Sequence, residues 1–237
     1  MINIKRLFIV TITSSLFCLQ CVFSQKENQV DANGLKTGVW KKYYESGKLR
    51  YTGQFENGKE VGVFKFYKNA STNIPHIVKE FSRDSDTATV KFFNYLGDVK
   101  TSGKMVGKNR VGAWQYFFTN GKIFSEEFYV NGKLEGTLKN YYSNGQVTEI
   151  SEYKNGYKNG LSKIYTDRGI LLEEVIYVDG KKNGPAKYYN LKGQIQETGV
   201  YKNDAKFGKW EFYIDGVVAE KPKERKTYLV PKTKREE

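Results

Sequence analysis

Carboxylates are the first residues of this sequence to invite a chemical reading. Glu149, Glu173 and Glu197 recur 24 residues apart, with Glu126, Glu127, Glu152 and Glu174 beside them. Two carboxylates with divergent pKa values can divide general-acid and general-base work. The same spacing also builds a solvated strand face neutralised by nearby lysines. That reading is favoured, because nothing assembles a nucleophile, a base and an orienting group. His76 is the single histidine, so no histidine pair is available for a metal. Asp84 and Asp86 alternate as at the start of a calcium loop, but no third acid follows in the loop. The glycines fall at turn positions of a repeat, with no helix following as a phosphate-cradling loop requires. The expectation is a protein that is not an enzyme, with no catalytic residue, no metal site and no cofactor.

The first 24 residues differ from the rest. Lys5 and Arg6 precede an apolar stretch from Leu7 to Phe23, which ends on the small residue Ser24. This is the layout of a secretory signal peptide cut between Ser24 and Gln25. Thr11, Thr13, Ser14, Ser15 and Gln20 dilute the stretch relative to a membrane anchor. Both cysteines, Cys18 and Cys21, lie inside it, preceded by Phe17 and Gln20 where a lipoprotein signal has a small residue. The expectation is export to the periplasm, cell envelope or exterior, as a mature chain without cysteine.

Lysine and arginine number 39 against 26 acids, a formal charge of +13. Lysines gather in turns such as "KNGYKNG" and "VDGKKNG" and in the tail "EKPKERKTYLVPKTKREE". One reading is attraction to anionic lipid, polysaccharide or an acidic partner. The other is solubility and protection of exposed strand edges. Export argues against nucleic acid. Residues 218–237 lack the repeat and mix both charge signs, so a disordered basic tail is expected there.

The elements that position these groups follow from an internal period. Glycine recurs at Gly38, Gly62, Gly112, Gly136, Gly160, Gly184 and Gly208, and Ala88 fills the one gap. Units therefore start at 38, 62, 88, 112, 136, 160, 184 and 208, the second carrying two extra residues in "KNASTNIP". Five residues after each start stand Tyr43, Tyr67, Phe93, Phe117, Tyr141, Tyr165, Tyr189 and Tyr213. A second row is Phe55, Phe81, Met105, Tyr129, Tyr153, Tyr177 and Tyr201. Asn-Gly and Asp-Gly turns separate runs rich in Tyr, Phe, Val, Ile and Thr, which reads as one β-hairpin per unit. Trp40 and Tyr43 have opposite parity, so either a bulge separates them or both faces carry aromatics. The two rows are the expected structural core.

"YTGQFENGKEVGVFKFY", Tyr51 to Tyr67, resembles a MORN repeat, and "GAWQYFFTNGKIFSEEFYVNGKLEG", Gly112 to Gly136, resembles the bacterial variant of YwqK-family, antitoxin-annotated proteins. The resemblance implies an all-β array of consecutive hairpins and a non-enzymatic role as scaffold or binding module. The expected organisation is a leader over 1–24, a linker over 25–37, repeats over 38–217 and the tail. The expected function is protein binding along a long sheet face. An envelope glycan or anionic lipid is the alternative ligand, and an antitoxin-like role the alternative that the resemblance brings. The irregular second and third units mark a candidate contact site at Asn69, Asn73, His76, Asp84 and Asp86.

Overall fold

Paired turn residues with positive φ write the hairpins. Asn57 and Gly58 stand at φ 49° and 78°, Asn131 and Gly132 at 49° and 79°, and Asp179 and Gly180 at 48° and 83°. Such turns match the right-handed twist of the strands they join. The alternate turns use one glycine: Gly47 N–H donates to Tyr44 O at 2.9 Å, and Tyr44 N–H to Lys48 O at 2.8 Å.

The computed structural model describes residues 26–70 and 73–219. The expected leader, its cut between Ser24 and Gln25, and residues 220–237 lie outside the described residues. The strands are β1 (Gln29–Val30), β2 (Lys36–Tyr43), β3 (Leu49–Glu56), β4 (Lys59–Phe66), β5 (Ile77–Phe81), β6 (Thr87–Phe93), β7 (Val99–Val106), β8 (Asn109–Phe117) and β9 (Ile123–Val130). They continue as β10 (Lys133–Leu134), β11 (Gly136–Tyr141), β12 (Val147–Lys154), β13 (Tyr157–Tyr165), β14 (Leu171–Val178), β15 (Lys181–Tyr189), β16 (Ile195–Lys202), β17 (Ala205–Ile214) and β18 (Val217–Ala219). The architecture is all-β: a single antiparallel sheet in which each strand pairs with its neighbour in sequence, β9 taking both β10 and β11. Two expected boundaries shift. Gln29–Val30 pairs with β2 inside the supposed linker, and Val218 and Ala219 of the supposed tail pair with β17.

In five units the opening glycine lies in a bulge. Thr52 faces Lys65 and Gln54 faces Val61, so Gly53 alone stands opposite Gly62, Val63 and Phe64. Gly62 absorbs the extra length at φ 66°. A comparable shift occurs opposite Gly112, Gly160, Gly184 and Gly208. Where Ala88 replaces glycine, the ladder from Ile77–Phe92 to Phe81–Ala88 runs without a shift. Alanine is strained in left-handed backbone, so that unit stays regular.

The bulges carry one row of residues across the sheet, two past each unit's start: Trp40, Phe64, Val90, Trp114, Leu138, Ser162, Ala186 and Trp210. Between them stand Gly53, Gly103, Ser151, Val175 and Gly199. Sizes compensate along this row. A Cβ on Gly53, Gly103 or Gly199 would overlap the ring of Phe64, Trp114 or Trp210. Where the row offers Ser162 or Ala186, its neighbours are Ser151 and Val175. Trp114 and Val90 are 0 % exposed and centre the main core cluster. Neighbouring rings shield one another, as Phe55 meets Phe64 at 5.3 Å and Phe64 meets Phe81 at 5.5 Å. Cations close the top: the Arg110 guanidinium lies 4.5 Å over Trp114, and Lys206 Nζ 4.1 Å over Trp210.

The expected core needs a correction. Strand alternation puts the row at Tyr43, Tyr67, Phe93, Phe117, Tyr141, Tyr165, Tyr189 and Tyr213 on the face opposite Trp114. None of these eight is buried, and Tyr43 is 50 % exposed. Phe55, Phe81, Tyr129, Tyr153, Tyr177 and Tyr201 do flank the buried row; Phe55 is buried and the others partly so. Both faces therefore carry aromatics, and the deepest row is the tryptophan-bearing one.

Candidate functional site

The face with Trp114 engages cations with its own glutamates and rings. In the second half of the sheet, Lys158 Nζ lies 2.6 Å from Glu149 and Lys182 Nζ 3.7 Å from Glu173, and Lys206 pairs with Glu197. These lysines also lie over Tyr177, Tyr188, Tyr201 and Trp210. Glu149 accepts from Ser151 Oγ at 2.7 Å and from Asn140 Nδ2 at 3.0 Å. Burial works against its charge, but the bonds from Lys158, Ser151 and Asn140 outweigh it and hold the carboxyl below the ordinary glutamate range. The period-24 carboxylates are thus ion-paired on a strand face, each with a lysine of the following strand.

The opposite face carries a different ladder. Three residues past each start stand Lys41, Lys65, Lys91, Lys139, Lys163 and Lys187, with Gln115 and Glu211 in the remaining units. Two residues further on stands the aromatic row from Tyr43 to Tyr213, on the same face by alternation. One unit contributes two strands, so successive lysine–aromatic pairs lie about 9–10 Å apart. Lys41 pairs with Glu27, and Lys163 Nζ lies 3.4 Å from Glu174. Lys65, Lys91, Lys139 and Lys187 are exposed, and none forms an ion pair among the described residues. Tyr141 Oη donates to Glu126 at 2.6 Å. Burial first, then that bond, pushes the Tyr141 hydroxyl up to about 12. This holds the ring fixed beside Lys139 and leaves its hydroxyl protonated. Sequence reasoning placed the lysines in turns and tail and missed this mid-strand row. Its signal was present as a lysine two residues before an aromatic, in "KKYY", "KFY", "KFF", "KNYY", "KIY" and "KYY".

The candidate contact site divides. Asn69 and Asn73 are exposed, and Asn69 Oδ1 accepts from Ser46 Oγ at 2.7 Å. His76 closes the same loop, its backbone N–H donating to Phe66 O at 2.9 Å. Asp84 and Asp86 follow the far end of β5, exposed at the opposite edge of the sheet. An extended strand of that length separates them by about 17 Å, so the two halves cannot share one small ligand. Among the described residues, no group of three or more His, Cys, Asp or Glu side chains is placed to hold a metal ion.

Four stretches, residues 36–57, 110–131, 134–155 and 182–203, match the MORN repeat variant. In these stretches, together 88 of the 237 residues, the chain is similar to that repeat variant. Each matched MORN stretch starts two residues before a unit's opening glycine, at Lys36, Arg110, Leu134 or Lys182. Each ends on the asparagine of an Asn-Gly or Asn-Asp turn. MORN repeats are generally associated with binding and scaffolding and are generally non-catalytic. No curated protein matches the chain significantly. Among solved structures, the chain is similar to a crystal structure of an S. aureus TarM mutant in complex with Fondaparinux, alpha-GlcNAc-glycerol and UDP. The identity is 11 % and the TM-score 0.25, over 52 % of this chain and 19 % of that one. A likeness of that size carries no argument about fold or function.

Proposed function

We propose that this MORN-type chain is an exported, non-catalytic binding scaffold whose lysine–aromatic face holds a linear acidic glycan. One observation carries the reading: unpaired lysines recur mid-strand at Lys65, Lys91, Lys139 and Lys187, each two residues from an aromatic ring. A cation gives a place for a carboxylate or sulfate, and a ring gives a flat apolar surface for the C–H face of a sugar. The lysine recurs in six of the eight units and stands without an ion pair among the described residues in four, a repetition that suits a ligand that itself repeats. The other face is less suited to this role, because its cations are engaged by glutamates and rings. A protein partner is the second reading, and a specific interruption favours it. At the unit starting at 112 the lysine becomes Gln115, and Phe128 and Val130 lie exposed on the same face.

The test is charge reversal at Lys65, Lys91, Lys139 and Lys187, all to glutamate, in the chain from Gln25. Binding to polygalacturonate is measured by calorimetry at low and at physiological salt. The proposal expects saturable, salt-sensitive binding that falls at least tenfold in the variant, with neutral dextran bound by neither protein. Equal binding by both proteins would dismiss the glycan reading. Retention of a protein partner by the variant, lost instead on Phe128→Ser, would favour the second.

A further inference from the structure

One edge of the sheet opens where turns of neighbouring units stop bracing one another. In the units starting at 38 and 136, a tyrosine six residues in reaches the next unit. Tyr44 Oη donates to Tyr67 O at 2.8 Å, and Tyr142 Oη to Tyr165 O at 3.0 Å. In the units starting at 62, 88 and 112 that position holds Lys68, Asn94 and Phe118, which make no such bond. The units starting at 160 and 184 also lack the tyrosine, with Thr166 and Asn190, but only the unit at 62 carries the longer loop before His76. A cleft of about 480 Å³ opens between Lys68, Ala70, Ile74 and His76, the turn at Asn94–Asp98 and the strand end at Phe117–Thr119. That volume lies within the range of small-molecule sites.

The walls are apolar and largely aromatic: Phe93, Phe117, Phe118, Tyr95, Leu96 and Ile74. Tyr95 is 78 % exposed and Leu96 65 %, which leaves two large side chains without cover at the mouth. The charged groups at the rim are Lys68, Lys100 and Asp98. Asp98 is engaged within its own turn, accepting from Asn94 Nδ2 at 3.0 Å. Lys68 and Lys100 are exposed and have no ion pair among the described residues. His76 lines the cleft as well, and its Nδ1 is the one buried side-chain nitrogen or oxygen among the described residues with no hydrogen-bond partner. An unsatisfied polar atom of that kind marks a place where a ligand or water completes the set. Burial holds the His76 ring below its ordinary pKa, and Lys68 acts in the same direction.

We infer that this cleft binds a small amphipathic carboxylate, with a flat apolar body between Phe93, Phe117 and Tyr95 and its charge between Lys68 and Lys100. The rim lysines lie outside the lysine ladder, although Phe93 and Phe117 belong to its aromatic row, so the two readings separate at Lys68 and Lys100. An apolar wall with two cations that form no ion pair among the described residues, and one acid already hydrogen-bonded within its own turn, selects against neutral and cationic analogues of the same shape.

The experiment titrates the chain from Gln25 with 2-naphthoate, 2-naphthylmethanol and 2-naphthylmethylamine, following ligand fluorescence. The expected result is one saturable site for naphthoate, with affinity at least tenfold above the alcohol and the amine. Lys68→Glu with Lys100→Glu reduces naphthoate affinity at least tenfold, while the melting temperature stays that of the parent. Tyr95→Ala weakens naphthoate several-fold with both lysines intact. Three probes binding alike, failure to saturate, or full naphthoate affinity in the double lysine variant would each overturn the inference.

Discussion

Trp114 and Tyr141 are both large aromatics within strands, and their positions make opposite demands. Trp114 is fully buried, donates Nε1–H to Lys104 O at 3.1 Å and lies against Gly103. Trp114→Ala is expected to cost about 3–5 kcal/mol in urea unfolding. Tyr141 is partly exposed on the other face, and Tyr141→Ala is expected to cost about 1–2 kcal/mol, mostly the bond to Glu126. Gly103→Ala adds a methyl where the indole lies, with an expected cost of about 1–3 kcal/mol from overpacking. The size rule supplies a sharper check. Gly103→Val combined with Trp114→Ala writes the pair found at Val175 and Ala186, so the double variant should be more stable than the two single costs added together. Additive costs in that cycle would show that the compensation is accidental. Glu149 gives a pH test. Its folded pKa is held below the unfolded value, so its contribution is complete above the ordinary glutamate range and is lost as pH falls through the folded pKa. Glu149→Gln should destabilise at pH 7, and its gap to the parent in urea midpoint should close between about pH 5 and pH 3. A gap constant over that window would show that the carboxylate charge contributes nothing.

At the scale of the strand and turn, the opening glycine controls register. Gly112 has φ 64° and nothing within 4 Å of where a Cβ would stand. Gly112→Ala therefore meets no clash and incurs only the strain of left-handed backbone, about 1–2 kcal/mol, readable in the same unfolding experiment. A neutral result would mean that the bulge is not held by that residue. The hairpins were legible in the sequence because Asn-Gly and Asp-Gly turns recur in register at 57–58, 131–132, 155–156 and 179–180, and the all-β array followed from them. The facing of each aromatic was not legible. A bulge inserts residues without changing their order, so parity counted through Gly62 or Gly112 loses its reference to the opposite strand. The lysine row was overlooked for a different reason: lysine is common throughout the chain, and its period becomes visible only beside the fixed aromatic two residues later. The contact site divides in two. Sequence proximity joined Asn69 and His76 to Asp84 and Asp86, and β5 holds the pairs apart at opposite edges. Ala70 and Ile74 of the longer loop nonetheless line the cleft with Phe93, Phe117 and Tyr95.

For the molecule as a whole, the two faces divide the work. Glycine–ring complementarity and cations capping the rings hold one face together with no second layer over it among the described residues. On the other face Lys65, Lys91, Lys139 and Lys187 form no ion pair among the described residues. From Lys65 to Lys187 the row extends on the order of 50 Å along the sheet at two strand spacings per unit. A linear polyanion that meets several of these sites gains from effective concentration, whereas a ligand with one charge gains nothing from the repeat. The most direct measurement is the affinity of the chain from Gln25 for oligogalacturonates fractionated by length. Affinity should climb steeply with each added length until the ligand spans the row, then level off, and the climb should vanish in the four-lysine glutamate variant. Affinity that is the same for short and long oligomers, or a climb that survives the charge reversal, would contradict the account.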